Sequence, residues 1–192
     1  MGRARPGGGA PLSGLQLVSL LAAAVLVFWV IGAYNRLVAL RMAIGSAWAQ
    51  FEEPFARREQ IVGPLAVQLR APLDGEHSAL DALVVALAQA RSAADAVRAR
   101  PVRPAALATF QAREAQLTAA LARVQALAEQ STAAHEDVAT AELLAQLGEA
   151  QLRMAAARRW FNDAAAAYDA AIAQWPTRLL VPLFRFNRAG RL

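Results

Sequence analysis

The feature that most constrains this chain is residues 15–33, LQLVSLLAAAVLVFWVIGA, nineteen consecutive positions without a charge. As an α-helix they extend about 28 Å, close to the hydrocarbon thickness of a bilayer. No polar face interrupts the run, which argues against a buried core helix. Gln16 and Ser19 fall near its start. Trp29 and Tyr34 fall toward its end, where an interfacial aromatic belt forms. Residues 1–14, MGRARPGGGAPLSG, read as a flexible tail. Arg3 and Arg5 also suit the basic region of a signal peptide, with Ile31-Gly32-Ala33 as a poor cleavage site. The length of the run, and a helical pattern that continues across that point, favour an uncleaved anchor.

Beyond Tyr34 the apolar positions are Leu37, Leu40, Ile44, Trp48, Phe51 and Phe55. Steps of three and four place them on one helical face, with Arg36, Arg41 and Gln50 off it. The stripe continues weakly through Val62, Leu65 and Leu69, and Pro54, Gly63 and Pro64 are expected to bend or break the helix. Ala71-Pro72-Leu73-Asp74-Gly75 reads as a turn. A second helix is predicted over 76–99, with Leu80, Leu83, Leu87, Ala90, Ala94 and Val97 inward. Arg100-Pro101-Val102-Arg103-Pro104 ends it. A third is predicted over 105–132, with Phe110, Leu117, Leu121, Val124 and Leu127 or Ala128 inward. After a connection at 133–137, a fourth spans 138–175, where Phe161, Tyr168 and Trp175, seven apart, form a seam. Pro176 stops it.

Alanine dominates the chain and is the best helix former, so the expected class is all-α. The expected fold is an N-terminal transmembrane helix (15–33) running into a long antiparallel, up-down four-helix bundle (34–176), followed by a basic hydrophobic tail (177–192). With helices alternating from the membrane, one end of the bundle gathers Arg36, Arg41, Arg98, Arg100, Arg103, Arg178, Arg185, Arg188 and Arg191. The other gathers Asp74, Glu76, Glu136, Asp137 and Glu142. The net charge is +5, carried by arginine without lysine, and it points to an anionic partner. The expected membrane interface comprises Trp29, Tyr34, Arg36, Arg41, Arg98, Arg100, Arg103 and Arg178. Phe184, Arg185 and Phe186 of the tail join it, lying among headgroups. The wider basic cluster favours a cytoplasmic bundle.

No catalytic constellation is legible. Without cysteine there is no disulfide, thiol nucleophile or cysteine-based metal site. Glu76-His77 and His135-Glu136 fall on two connections at the same end, where a divalent metal or mild acid could be sensed, but ordinary solvated loop residues explain them better. Gly7-Gly8-Gly9 lacks the strand and lysine of a phosphate loop, and Glu52-Glu53 is expected to face solvent. The basic residues cluster at the membrane end rather than on a helical face with accessible aromatics, so no nucleic-acid partner is expected. No cofactor is expected either.

One stretch resembles a known family. Tyr34, Asn35, Leu37, Val38, Leu40 and Arg41, in YNRLVALR, are similar to the YNxLVxLR that follows the single membrane helix of LemA-family proteins. Trp48 matches the family's AW, and Arg57, Arg58, Ile61 and Pro64 match its RRxxLIPxLV. Ala90-Arg91 matches its AR. The segment AARRWFNDAAAAYDAAIAQWPTRLLVPLFRF resembles the family's ARxxYNxxVxxYNxxIxxFP and LFxF tail through Arg158, Phe161, Asn162, Tyr168 and Pro176. Asp169 stands where the family has a second asparagine, and Thr140 and Gln151 mark a divergent middle. The resemblance implies a membrane-anchored antiparallel helical bundle with no established enzymatic activity, in a bacterial inner membrane. The expected role is a non-enzymatic scaffold or interaction module with lipid and an unknown protein as partners. The alternatives are an accessory subunit of a membrane enzyme or transporter, and a sensor using His77 and His135. Asn162 and Asp169 are expected to make structural hydrogen bonds.

Overall fold

The computed structural model describes residues 14–184 and 186–192. Of the expected tail at 1–14, residues 1–13 lie outside the described residues, as does the interface role of Arg185, while Gly14 opens α1. Every element among the described residues is helical. They are α1 (Gly14–Gln68), α2 (His77–Ala99), α3 (Pro104–Gln130), α4 (Thr132–Glu136), α5 (Val138–Ala173), a 3-10 turn (Thr177–Leu179) and α6 (Val181–Phe184). The chain divides into two compact units, the second being Leu37–Leu192.

In the first unit, residues 14–36 present their large apolar side chains outward: Leu15, Val18, Leu21, Val25 and Phe28 are all exposed. The most apolar 18-residue window of α1 has a mean hydropathy of 2.4 and none of it is buried, so α1 is long and apolar enough to cross a membrane.

The second unit holds the core. The stripes predicted from spacing are buried: Leu37, Ile44, Trp48, Phe51 and Phe55 on α1, and Leu80, Leu83, Ala90 and Val97 on α2. Phe110, Leu117, Leu121 and Val124 on α3 join Leu147, Met154, Phe161 and Tyr168 on α5. Trp48 sits at the centre, its ring centroid 5.3 Å from Phe110, 5.4 Å from Phe51 and 6.3 Å from Phe161.

Polar pairs cross between the helices. Glu52 of α1 accepts from Arg98 of α2, and Arg70, just after α1, reaches Asp81 at 2.6 Å. Arg57 donates to Gln146 of α5 at 2.9 Å, and Gln68 to Asp137, also at 2.9 Å. Between α2 and α3, Arg113 donates to Gln89 at 2.8 Å, and Arg123 lies 3.7 Å from Glu76.

Four expectations change. Pro54 and Pro64 do not break α1, which runs through both. A mid-helix proline costs about 3 kcal/mol, and burial of Phe51, Phe55, Ile61, Val62 and Leu65 on either side outweighs it. The connection at 133–137 contains α4, capped by Ser131, whose hydroxyl accepts from Ala134 N and donates to Pro72 O. Asp137 then caps α5 by accepting from Thr140 N at 3.0 Å. Glu52 faces Arg98 rather than bulk solvent. Trp175 leaves the seam of Phe161 and Tyr168 and is 77% exposed. The residue before a proline is driven out of the α region, so α5 ends at Ala173 and the heptad spacing stops projecting inward.

Candidate functional site

Two places in the Leu37–Leu192 unit concentrate charge. The first is interior. Arg58 lies on the buried stripe of α1 between Phe55 and Val62, Glu114 on that of α3 between Phe110 and Leu117, and Arg158 beside Met154 and Phe161 on α5. Arg58 Nη1 donates to Glu114 Oε1 at 3.2 Å and Arg158 Nη2 to Glu114 Oε2 at 3.1 Å, so one carboxylate bridges two guanidiniums on three helices. Thr118 Oγ1 adds a third hydrogen bond to Glu114 at 3.1 Å. The side chains of Arg58 and Glu114 are 3% and 13% exposed. Arg58 Cζ stands 5.2 Å from the centroid of Phe55, a cation–π arrangement. A cavity of about 230 Å³ opens beside them, walled also by Gln151, Met154 and Ala155.

The electrostatics follow from burial. Desolvation pulls Arg58 below its ordinary value, while Glu114 pulls it back. Burial raises the Glu114 carboxyl, but the charges of Arg58 and Arg158 outweigh it, and the net value falls below the ordinary 4.5. The group therefore carries fixed charge near neutrality.

The second place is a surface pocket of about 610 Å³. Val38, Arg41 and Met42 of α1 form one wall, residues 99–104 another, and Tyr168 with Phe186 and Asn187 a third. Its shape comes from the connection. Pro101 and Pro104 prevent α2 from running into α3, Pro104 opens α3 at its first turn, and Arg100 and Arg103 are carried on the short bend between.

The third wall depends on the chain after Pro176, which belongs to the same compact unit. Phe186 is buried, with its ring 6.5 Å from that of Tyr168. Asn162 donates from Nδ2 to Leu192 O at 2.9 Å and accepts from Leu192 N at 2.9 Å. Asp169 accepts from Ala189 N at 2.9 Å and from Arg191 at 3.0 Å. Gly190 packs so closely on α3 that an added Cβ would lie 2.7 Å from Leu107 and 3.0 Å from Pro104 Cα.

The expected interface residues separate accordingly. Arg41, Arg100 and Arg103 meet around one pocket. Arg98 does not join them, because it pairs with Glu52 and with Asp95 at 3.1 Å. Arg191 is bound to Asp169. Phe186 was expected among lipid headgroups and is buried in protein instead, because the backbone and arginine of 189–192 find better partners on Asn162 and Asp169 than in water. Phe184 is partly exposed and Arg178 exposed on the 3-10 turn. Trp29, Tyr34 and Arg36 belong to the first unit.

Of the motif residues, Leu37, Trp48, Arg58, Pro64, Phe161 and Tyr168 fall on α1 and α5, with Val38 and Leu40 half-buried and Asn35 exposed. Arg57 bonds Gln146. His77 and His135 are exposed, His77 Nε2 lying 3.2 Å from Arg70 O. Among the described residues no group of three His, Asp or Glu side chains could hold a metal ion.

Sequence reasoning picked out Arg58 and Arg158 as motif positions but missed Glu114. The signal was present: Glu114 lies four after Phe110 and three before Leu117, a charge on an apolar stripe.

Two outcomes follow. Glu114→Gln leaves the buried guanidinium of Arg58 and the partly exposed one of Arg158 without their shared counter-charge and lowers stability at pH 7 by roughly 3 kcal/mol, measured by thermal or denaturant unfolding. Since the folded carboxyl titrates below its unfolded value, its stabilisation is full above the unfolded value. It is lost as pH falls through the folded one, so wild type and variant converge in strong acid. Gly190→Val displaces 186–192 from α3, and hydrogen exchange of those amides rises while that of α2 holds.

No curated protein matches the chain. The LemA family model matches residues 47–191, a span that contains the Arg58, Glu114 and Arg158 bridge and, of the pocket, residues 99–104, Tyr168, Phe186 and Asn187 but not its α1 wall. The chain belongs to the LemA family.

Proposed function

We propose that this LemA-family chain is a single-pass, membrane-anchored helical bundle acting as a non-enzymatic scaffold or interaction module at the bacterial inner membrane, with its bundle in the cytoplasm. Residues 14–36, long and apolar enough to span and with none of the most apolar window buried among the described residues, support the anchor. The order of the polar pairs supports an antiparallel four-helix arrangement. Position 52 meets 98 and position 70 meets 81, and position 57 meets 146 where 68 meets 137. Position 76 likewise meets 123, and 89 meets 113. In each couple, one number rises as the other falls.

The observation that carries the scaffold reading is how the charges are used. Interior charge is committed to holding three helices together through Glu114, whose ionised form is stabilised and is a poor proton donor near neutrality. Arg41, Arg100 and Arg103, which form no salt bridge among the described residues, line one surface pocket. Elsewhere α5 exposes Trp160 at 58%, a side-chain type enriched among interface anchors, with Leu152 also exposed at 74%. A protein partner docking on that face would complete the module.

The test is extraction of native membranes with alkaline carbonate. The full chain stays in the pellet, and a chain lacking residues 1–36 is released; release of the full chain would refute the anchor. The chain contains no cysteine, so Gln89→Cys with Arg113→Cys forms a clean crosslink under mild oxidation in the antiparallel arrangement. Gln89→Cys with Gln125→Cys does not, and the reverse result would exclude that arrangement.

A further inference from the structure

Building on the membrane-anchored reading, we propose that the arginine-rimmed pocket is a saturable site for one anionic phospholipid. Arg41, Arg100 and Arg103 hold the phosphate, and Val38, Met42 and Phe186 take the first part of an acyl chain.

The charge of the pocket is one-sided. Its lining contains three guanidiniums and no carboxylate. Among the described residues, Arg41, Arg100 and Arg103 form no salt bridge, whereas their neighbours Arg98 and Arg191 each do. Three like charges around one concavity repel each other until an anion enters. Guanidinium forks match phosphate oxygens in pairs, so a phosphate is the anion they hold best.

Arginine alone would suit a free phosphate as well. The remaining walls decide between the two. Val38, Met42, Val102 and Phe186 are apolar and line the same space, and Met42 is largely exposed there. Such a wall gains nothing from an inorganic anion, but it gains from burying methylene groups. A volume of about 610 Å³ lies within the range of small-molecule sites and exceeds what one phosphate fills.

Connectivity brings lipid to the pocket. Arg41 follows Ala33, the last residue of the uncharged run, by eight positions. Chain length alone keeps the two α-carbons within about 29 Å. A phospholipid of the membrane holding that run is therefore the source of phosphate to which the proposal commits. The pocket is also firmly built: prolines fix the connection that bears Arg100 and Arg103, and Asn162 and Asp169 tie down the segment that supplies Phe186.

The experiment uses the full chain in a neutral maltoside detergent, read by native mass spectrometry and thermal melting. Short-chain phosphatidylglycerol is the probe, with phosphatidylcholine of the same chains and inorganic phosphate as comparisons. One phosphatidylglycerol binds per chain, at least about tenfold tighter than phosphatidylcholine, and inorganic phosphate competes only weakly. Arg100→Gln with Arg103→Gln weakens phosphatidylglycerol roughly tenfold or more, and Arg41→Gln alone weakens it roughly fivefold. Arg153→Gln, which removes an exposed pair with Glu149, changes nothing. Equal binding of the two lipids, unchanged affinity in both pocket variants, or full competition by inorganic phosphate overturns the site. Carbonate extraction separates this from the reading it rests on. A chain that stays in the membrane but binds no phosphatidylglycerol loses the site alone; one that is extracted yet binds it loses the anchor alone.

Discussion

The packing of Trp48 against Phe51, Phe110 and Phe161 is the contact on which the second unit depends. Its helices are rich in alanine, and Ala90, Ala94, Ala128, Ala150, Ala157 and Ala165 are all buried. Alanine lets helices approach closely but buries little surface per residue, so a core made of it alone would hold weakly. Aromatic rings supply the missing area. Phe110 also meets Phe55 at 5.6 Å, and one α3 side chain thereby touches three rings of α1. Edge-to-face geometry adds to the area term and specifies which faces meet.

Beside this aromatic centre lies the Arg58, Glu114 and Arg158 bridge, and the two are continuous through the guanidinium of Arg58 over Phe55. Buried ion groups are poor sources of stability, because desolvation consumes most of the attraction. Their use lies in selection. An alanine stripe packs almost equally well in several registers, whereas a carboxylate that must reach two guanidiniums accepts one. The bridge links α1, α3 and α5 through one carboxylate.

At the pocket the logic is reversed. There Arg100 and Arg103, which form no salt bridge among the described residues, stand on a connection that prolines keep out of helix, and hydrogen bonds to Asn162 and Asp169 fasten a neighbouring segment. Asn162 and Asp169, seven apart on α5, hold 189–192, and that segment sets Phe186 against Tyr168.

Much of this was legible without coordinates. The uncharged run at 15–33, the periodic stripes and the turn at Asp74-Gly75 depend on local rules, namely burial on one helical face and the freedom of glycine at φ +93°. Even Glu114 announced itself as a charge at a stripe position. Other features depend on residues far apart in sequence and could not be read from spacing. Pro54 and Pro64 looked like breaks because propensity is local, while the burial that carries α1 through them comes from tertiary packing such as that of Phe51 and Phe55 on Phe110. The segment after Pro176 looked like a surface-seeking tail because arginine alternates with apolar residues there. Whether such a segment meets lipid or protein depends on what partners stand nearby, and only the tertiary fold brings Asn162, Asp169 and the close-packed start of α3 to it.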